Sequence, residues 1–356
     1  MRFLFDIVHP ADVHFFRHAI SELGQRNHEI LITSRDKDIA LSLLEEMRLE
    51  HRVLTAQGRG PLGLLKELAR RDIAMLKLAR SFKPDVLIAN NSPCVAHVGT
   101  AIRRPSIVFD DTEINKYNRM LYRPAVTEIH SPESYRLDLG RKQMRYPGLH
   151  ALAYLHPDHF SADQDVPRSY GLDPGEPYFV FRFVKWGAIH DVGVQGLMPA
   201  QKEELVRLAE RYGRVVISSE TDVPESLRQY RLTGHPGDVH HIIAHAAGVI
   251  GESATMCAEA ACLGCQAILI DRFGRGYTDK LEQDYELCTR INPNDWEGVR
   301  KAVHGLCRRD IASSKIASRH RRLIRESINV SKYQLDQLAG LTGLAPGPAP
   351  AVEESD

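Results

Sequence analysis

The order in which apolar runs appear constrains this chain more than any other feature. From the second residue onward, short β-rich runs alternate with longer amphipathic stretches, the pattern of βαβ units feeding a parallel sheet. RFLFDIV (2–8), EILIT (29–33), HRVLT (51–55), DVLIAN (85–90), SIVFD (106–110) and TEIHS (127–131) read as strands, with helices over 13–25, 36–48, 62–82, 94–103 and 114–122. The stretch 145–177 is rich in Pro, Gly and Asp, has no long periodic run and reads as a linker. The pattern then restarts. YFVFRFV (178–184), RVVISS (214–219), GVIG (248–251) and QAILID (266–271) read as strands, with helices near 200–212, 238–247 and 254–263 and a mostly helical stretch over 295–343. Two α/β halves around a linker imply a cleft between them. The expected division is a first domain over 1–160, a second over 170–312, C-terminal helices over 313–343 and a disordered Pro- and Ala-rich tail over 344–356.

A length of 356 residues suits two cores better than one. Lys plus Arg equals Asp plus Glu at 46 each, so no global field exists to hold a nucleic-acid backbone, and phosphate binding must come from a local site. No apolar run reaches the roughly 20 residues of a spanning helix, and Met1 leads directly into a strand instead of a signal segment. The six cysteines are sparse, which fits reduced thiols and a location that is cytoplasmic or peripheral to a membrane.

GVIGESATMCAEAACLG (248–264) carries most of the chemistry. It reads as strand, tight glycine turn and helix: Gly251 and Glu252 form the turn, Ser253 or Thr255 caps, and Gly264 ends the helix. Free amides and the positive dipole end of the first turn, around Ser253, Ala254, Thr255 and Met256, make a ready diphosphate site. Glu259 follows about one turn later.

This segment resembles the nucleotide-sugar GT-B superfamily, which carries a Gly/Ser-rich turn followed by a helix with E-A-A-x-x-G, here Glu259, Ala260, Ala261 and Gly264. DIVHPADVHFFRHAISELGQRNHEILITSRDKD (6–38), the DDTE and N-R-M-L-Y-R-P run (110–124), RYPGLHALAYL (145–155) and IGESATMCAEAACLG (250–264) resemble the domain of unknown function 354 family of predicted glycosyltransferases. More distantly, the chain is similar to UDP-N-acetylglucosamine 2-epimerases, although its opening loop DIVHPADVHFF departs from theirs. The resemblance implies an α/β GT-B fold of two Rossmann-like domains. It also implies that Ser253, Ala254 and Thr255 face the phosphates and Glu259 the ribose, with UDP expected because it is common in the superfamily. Cys265 stands where the superfamily places Pro.

Arg182, Lys185 and His190, at or just past a strand end, could neutralise a departing diphosphate. On the acceptor side, His9, Asp12 and His14 crowd the first strand's end, and Asp110, Asp111 and Glu113 form an acidic cluster after the fifth. His14 is the first candidate base, with Asp111 and Asp110 as alternatives. That acidic cluster is not a D-x-D motif, so no metal or other cofactor is expected. GRGPLG (58–63) matches G-x-G-x-x-G but follows the third strand and lacks the later acid. Cys257, Cys262 and Cys265 fit a cluster-binding spacing but lie on a strong helix and read as buried thiols. His241 and His245 lack the Glu of a zinc-protease helix. The expected function is metal-independent transfer of a sugar from a nucleotide sugar to a glycan, lipid or small-molecule acceptor. The alternatives are an epimerase or hydrolase of the same donor, or a nucleotide-sugar-binding protein without turnover.

Overall fold

A computed structural model describes residues 1–37, 39–58, 60–184, 196–219 and 223–343. Lys185, His190 and the tail expected to be disordered lie outside the described residues. The first half runs β1 (Arg2–Ile7), α1 (Pro10–Gln25), β2 (Glu29–Asp36), α2 (Ala40–Glu46), β3 (His51–Ala56), α3 (Gly60–Phe82), β4 (Val86–Asn90), α4 (Pro93–Ile102), β5 (Ser106–Phe109), α5 (Lys116–Tyr122), β6 (Glu128–Pro132) and β7 (Gln143–Tyr146). After a 3-10 turn at His150–Ala153 and α6 (Asp165–Ser169) come β8 (Tyr178–Phe183), α7 (Pro199–Glu210), β9 (Arg214–Ser219), α8 (Val239–Ala244), β10 (Gly248–Gly251), α9 (Ala254–Cys262), β11 (Ala267–Ile270), α10 (Gly276–Gln283) and β12 (Cys288–Ile291). The chain finishes with α11 (Trp296–Cys307), α12 (Ser313–Glu326) and α13 (Val330–Thr342).

Every strand pairs in parallel. The first sheet has the order β3-β2-β1-β4-β5-β6-β7 and the second β12-β11-β10-β8-β9. The strand order therefore reverses between β1 and β4 in one sheet and between β8 and β10 in the other. In open parallel sheets those reversals open the crevice that holds ligands. Central strands must be apolar on both faces, and Phe3, Leu4, Phe5 and Ile7 of β1 are fully buried. Phe16 of α1 meets Phe5 edge-on at 5.4 Å, and Phe15 meets Phe109 at 5.2 Å.

The stretch expected to be a linker packs instead. Leu149 and Ala151–Leu155 are buried in an apolar cluster that runs without a break from β1 and α1 into β8, β10 and α9. HALAYL is too short to show a helical or strand period, but its apolar side chains all find partners on α1, α9 and α13. The last helix also returns to the first half. Gln334 donates to the Phe15 carbonyl at 3.1 Å, and the Tyr333 hydroxyl meets His130 Nδ1 at 2.7 Å.

One polar knot lies inside the first sheet. Asp6 Oδ1 accepts from Thr33 Oγ1 at 2.8 Å and from Arg71 Nη2 at 2.6 Å, while its Oδ2 accepts from Ser92 Oγ at 2.6 Å. The carboxylate and the guanidinium are both buried, so removing one partner strands the other's charge. Arg71→Met is expected to lower the unfolding free energy by about 3–5 kcal/mol in urea titrations. A loss below about 1 kcal/mol would show that Asp6 does not depend on that cation.

Candidate functional site

Both reversal points are closed by side chains of the loops that follow them. At the first, His9 caps α1, its Nδ1 accepting from the Ala11 amide at 3.2 Å. Asp12 Oδ2 accepts from the Val8 and His9 amides, each at 2.9 Å, and its Oδ1 accepts from Asn90 Nδ2 at 2.9 Å. Asp12 thus ties the end of β1 to the end of β4, and burial pushes its pKa up to about 7. His9 stays exposed on the rim.

After β5 the three acids part company. Asp110 is buried and accepts from the Tyr122 hydroxyl at 2.5 Å, the Tyr135 hydroxyl at 2.7 Å and the Thr112 amide at 2.9 Å, and burial raises its pKa to about 6. Asp111 remains partly open, with Thr112 Oγ1 at 2.7 Å on one oxygen and His150 Nδ1 at 3.3 Å on the other. Glu113 reaches across to the second half, where its Oε1 accepts from the Gly276 amide at 3.1 Å while also holding the Arg136 amide at 3.0 Å. A β-carbon on Gly276 would stand 1.9 Å from the Ser134 carbonyl oxygen, so only glycine allows this approach. An Arg136–Asp279 ion pair reinforces it. Since β5, β6 and β11 all deliver their carboxyl ends here, the two ligand-binding edges face each other.

On the second edge, a β-carbon at Gly251 would lie 2.2 Å from the Arg182 carbonyl oxygen. Glycine is what lets β10 run so close to β8 before the turn. Glu252 then points inward, accepting from the Leu197 amide at 2.7 Å and the Val184 amide at 3.3 Å, with Lys202 Nζ at 3.7 Å. Arg182 donates to Ser218 Oγ at 2.8 Å. Ser253 caps α9 by accepting from the Met256 amide at 3.3 Å; Ala254 and Met256 are buried, and Thr255 is exposed. α9 packs beside α10, which brings Thr255 near Tyr277, and Asp111 lies within electrostatic reach of both Tyr277 and Arg275. The N-terminus of α9 and the Asp111–His150 pair therefore flank one space.

Glu259 and His14, which the sequence assigns to opposite sides, come together. Glu259 Oε1 accepts from the Tyr154 hydroxyl at 2.6 Å and lies 3.3 Å from His240 Nε2. The His14 ring centroid sits 5.5 Å from both the Tyr154 and the His240 rings. Burial raises the Glu259 pKa, but His240 and Tyr154 outweigh it and the net shift is downward. Burial, with His240 second, lowers the His14 pKa to about 3, and its buried Nδ1 has no hydrogen-bond partner among the described residues. Tyr154 and His150 escape a reading of the sequence because they sit in a stretch without periodicity, and His240, on a legible helix, because no local pattern names its partner. What brings them to the site is tertiary packing.

The rejected motifs have other employment. The Gly58 amide donates to the protein's own Glu67 at 2.7 Å. Cys257, Cys262, Cys265 and Cys288 are buried free thiols, and His241 accepts from the Asp163 amide at 3.0 Å. No group of three or more His, Cys, Asp or Glu residues is arranged to hold a metal among the described residues. A cavity of about 290 Å³ lies at the other end of α9, beside Cys265, Ile316 and His320, away from both edges.

The depressed His14 pKa has a consequence for stability. Between its folded value near 3 and an unfolded value near 6.5 the unfolded chain binds the extra proton, so this group destabilises the fold as pH falls through that window. Asp12 and Asp110, with raised values, act in the opposite sense. The His14→Gln variant isolates the imidazole: the loss of unfolding free energy from pH 7 to pH 5 should be smaller than in the wild type. An equal change of unfolding free energy with pH in the two proteins would show that folding does not depress the His14 pKa.

The sequence matches the family described as protein of unknown function (DUF354) over residues 1–273. No curated protein matches it. Solved structures do, at low identity. A putative UDP-N-acetylglucosamine 2-epimerase from Listeria monocytogenes superposes with a TM-score of 0.69 at 9% identity, covering 98% of each chain. A UDP-GlcNAc 2-epimerase from Neisseria meningitidis bound to UDP-GlcNAc gives 0.65 at 10% identity, covering 96% of this chain and 100% of its own. The calicheamicin glycosyltransferase CalG4 gives 0.62 at 15% identity, covering 96% and 98%. These neighbours are glycosyltransferases and UDP-GlcNAc 2-epimerases, and the fold of two parallel α/β domains facing across a cleft is GT-B. With residues 1–273 of its 356 matched, the chain belongs to the DUF354 family.

Proposed function

We propose that this protein is a metal-independent glycosyltransferase that moves a sugar, from a UDP-sugar by preference, to an acceptor entering along the first domain. One observation carries the reading: the open N-terminus of α9 and the Asp111–His150 pair flank the same space between the two sheet edges. The first supplies amides and a positive dipole end for the diphosphate. The second supplies a base for the acceptor hydroxyl.

Among the base candidates, Asp110 is satisfied by two phenols and an amide. His14, at about 3, is too weak a base near neutrality. Asp111 keeps an open face and holds His150 by Nδ1, while the buried His150 Nε2 has no partner among the described residues. Phe15 stacks on the His150 ring at 4.3 Å and fixes its plane. Burial lowers the His150 pKa and Asp111 opposes this, so a neutral imidazole orients the Asp111 carboxylate. In the proposed step the acceptor oxygen gives its proton to the partly open carboxylate of Asp111, which His150 holds in place, and forms a bond to the anomeric carbon. The bond from that carbon to the diphosphate oxygen breaks, and the electron pair leaves with the nucleotide toward α9. Glu259, held by Tyr154 and His240, is proposed to support the donor edge and to reach the ribose only if those contacts rearrange.

The test is incubation with a panel of nucleotide sugars, with and without candidate acceptors and with EDTA. Nucleotide release that needs acceptor and survives EDTA supports transfer. The epimerases among the structural neighbours make isomerisation without acceptor the rival result. Asp111→Asn should lower turnover by about two to four orders of magnitude with nucleotide affinity near wild type. Full turnover in that variant would remove Asp111 from the chemistry.

A further inference from the structure

The outer side of the first domain carries a surface that neither the cleft nor the core uses. α3 packs on α4 and α4 on α5, with His97 of α4 joining them through Asp72 Oδ2 at 2.9 Å and the Leu121 carbonyl at 3.2 Å. Along α3, Leu62, Leu65, Lys66, Ala69, Arg70, Ile73, Lys77 and Arg80 recur at three- and four-residue steps and are all exposed. Leu62 is 76% exposed and Leu65 63%; on α5 Met120 is 71% and Tyr117 58% exposed, with Lys116 beside them. Large apolar side chains exposed to this extent on neighbouring helices call for a partner.

Charge identifies the partner. The three helices contain two acids, Glu67, buried against Arg35, and Asp72, paired with His97. None of Lys66, Arg70, Lys77 and Arg80 has an ion-pair partner among the described residues. In a chain of zero formal net charge, this face is therefore locally cationic. A second copy would bring the same cations against it and be repelled. Interleaved leucines, isoleucine and basic residues on one helix face are what the boundary between lipid headgroups and acyl chains accommodates.

We propose that the α3–α5 face docks on an anionic lipid surface. In a parallel α/β sheet the helices begin at the carboxyl edge, so Leu62, Leu65, Lys116 and Tyr117 lie at the ends of α3 and α5 nearest the cleft. Docking there turns the acceptor entrance toward the bilayer. On the transferase reading, on which this last step rests, the acceptor is then carried by a lipid.

The experiment is co-sedimentation of the full chain with phosphatidylcholine vesicles, with and without phosphatidylglycerol, at low and high salt. Binding should require the anionic lipid and weaken with salt. Each interfacial cation is worth roughly fivefold in partitioning, so Lys66→Glu with Lys77→Glu should weaken it by more than about tenfold. Leu62→Ser with Leu65→Ser should also weaken it, and unchanged melting temperatures show that both exposed-site variants fold. No binding to either vesicle, binding indifferent to lipid charge, or binding unaffected by both variants overturns the proposal. So does a change in oligomeric mass of the lipid-free protein in these variants, which would make a second copy the occupant. Vesicle binding is read without nucleotide sugar, so its failure is distinct from failure of the transferase reading.

Discussion

Among the described residues all twelve strands run parallel within their sheets, and this single directional constraint decides where chemistry can occur. A parallel sheet sends every strand's carboxyl end and every following helix's N-terminus to one edge, where amides lack intrahelical partners. Strand ends there carry Asp6, Asn90, Asp110 and Arg182, and the loops after them supply Asp12, Asp111, Glu113 and Ser253. Facing two such edges toward each other produces a polar space between two dry sheets. The GT-B cleft follows from strand direction before any catalytic residue is specified.

Holding the edges in register falls to contacts that cross between the halves. Glu113 on the Gly276 amide and Arg136 on Asp279 clamp one side of the cleft. Tyr154, His240 and His14 around Glu259 close its floor. The return of α13 onto α1 adds a third attachment. The Glu259 cluster is buried, so each polar member depends on the others: a lost partner leaves a desolvated group worth about 1–3 kcal/mol.

The sequence displayed the sheets far better than it displayed the site. Apolar runs such as RFLFDIV and YFVFRFV have no soluble alternative to a central strand, so their place in the fold was readable at once. β7 (QMRY) and β12 (CTRI) were not, because edge strands alternate polar and apolar residues and four residues are too few to reveal a period. α10 was hidden similarly by a glycine-rich start and a short length. The turn before α9 announced itself through Gly251 and Ser253, both of which have local geometric duties. His150 and Tyr154 had no such local signature. Their roles arise from a segment that looks like a linker but is pulled into the core by Leu149, Leu152 and Leu155, and no local pattern encodes which carboxylate each then meets.

The account rests on a diphosphate lying against the first turn of α9, and Thr255 offers the most direct measurement. An aspartate at this second helical position suits the helix dipole but opposes a bound anion. Calorimetric titration of UDP into the wild type and Thr255→Asp should give at least about a tenfold loss of affinity in the variant with an undiminished melting temperature, a difference of about 1.4 kcal/mol. Equal affinity in the two proteins would place the nucleotide elsewhere and contradict the account.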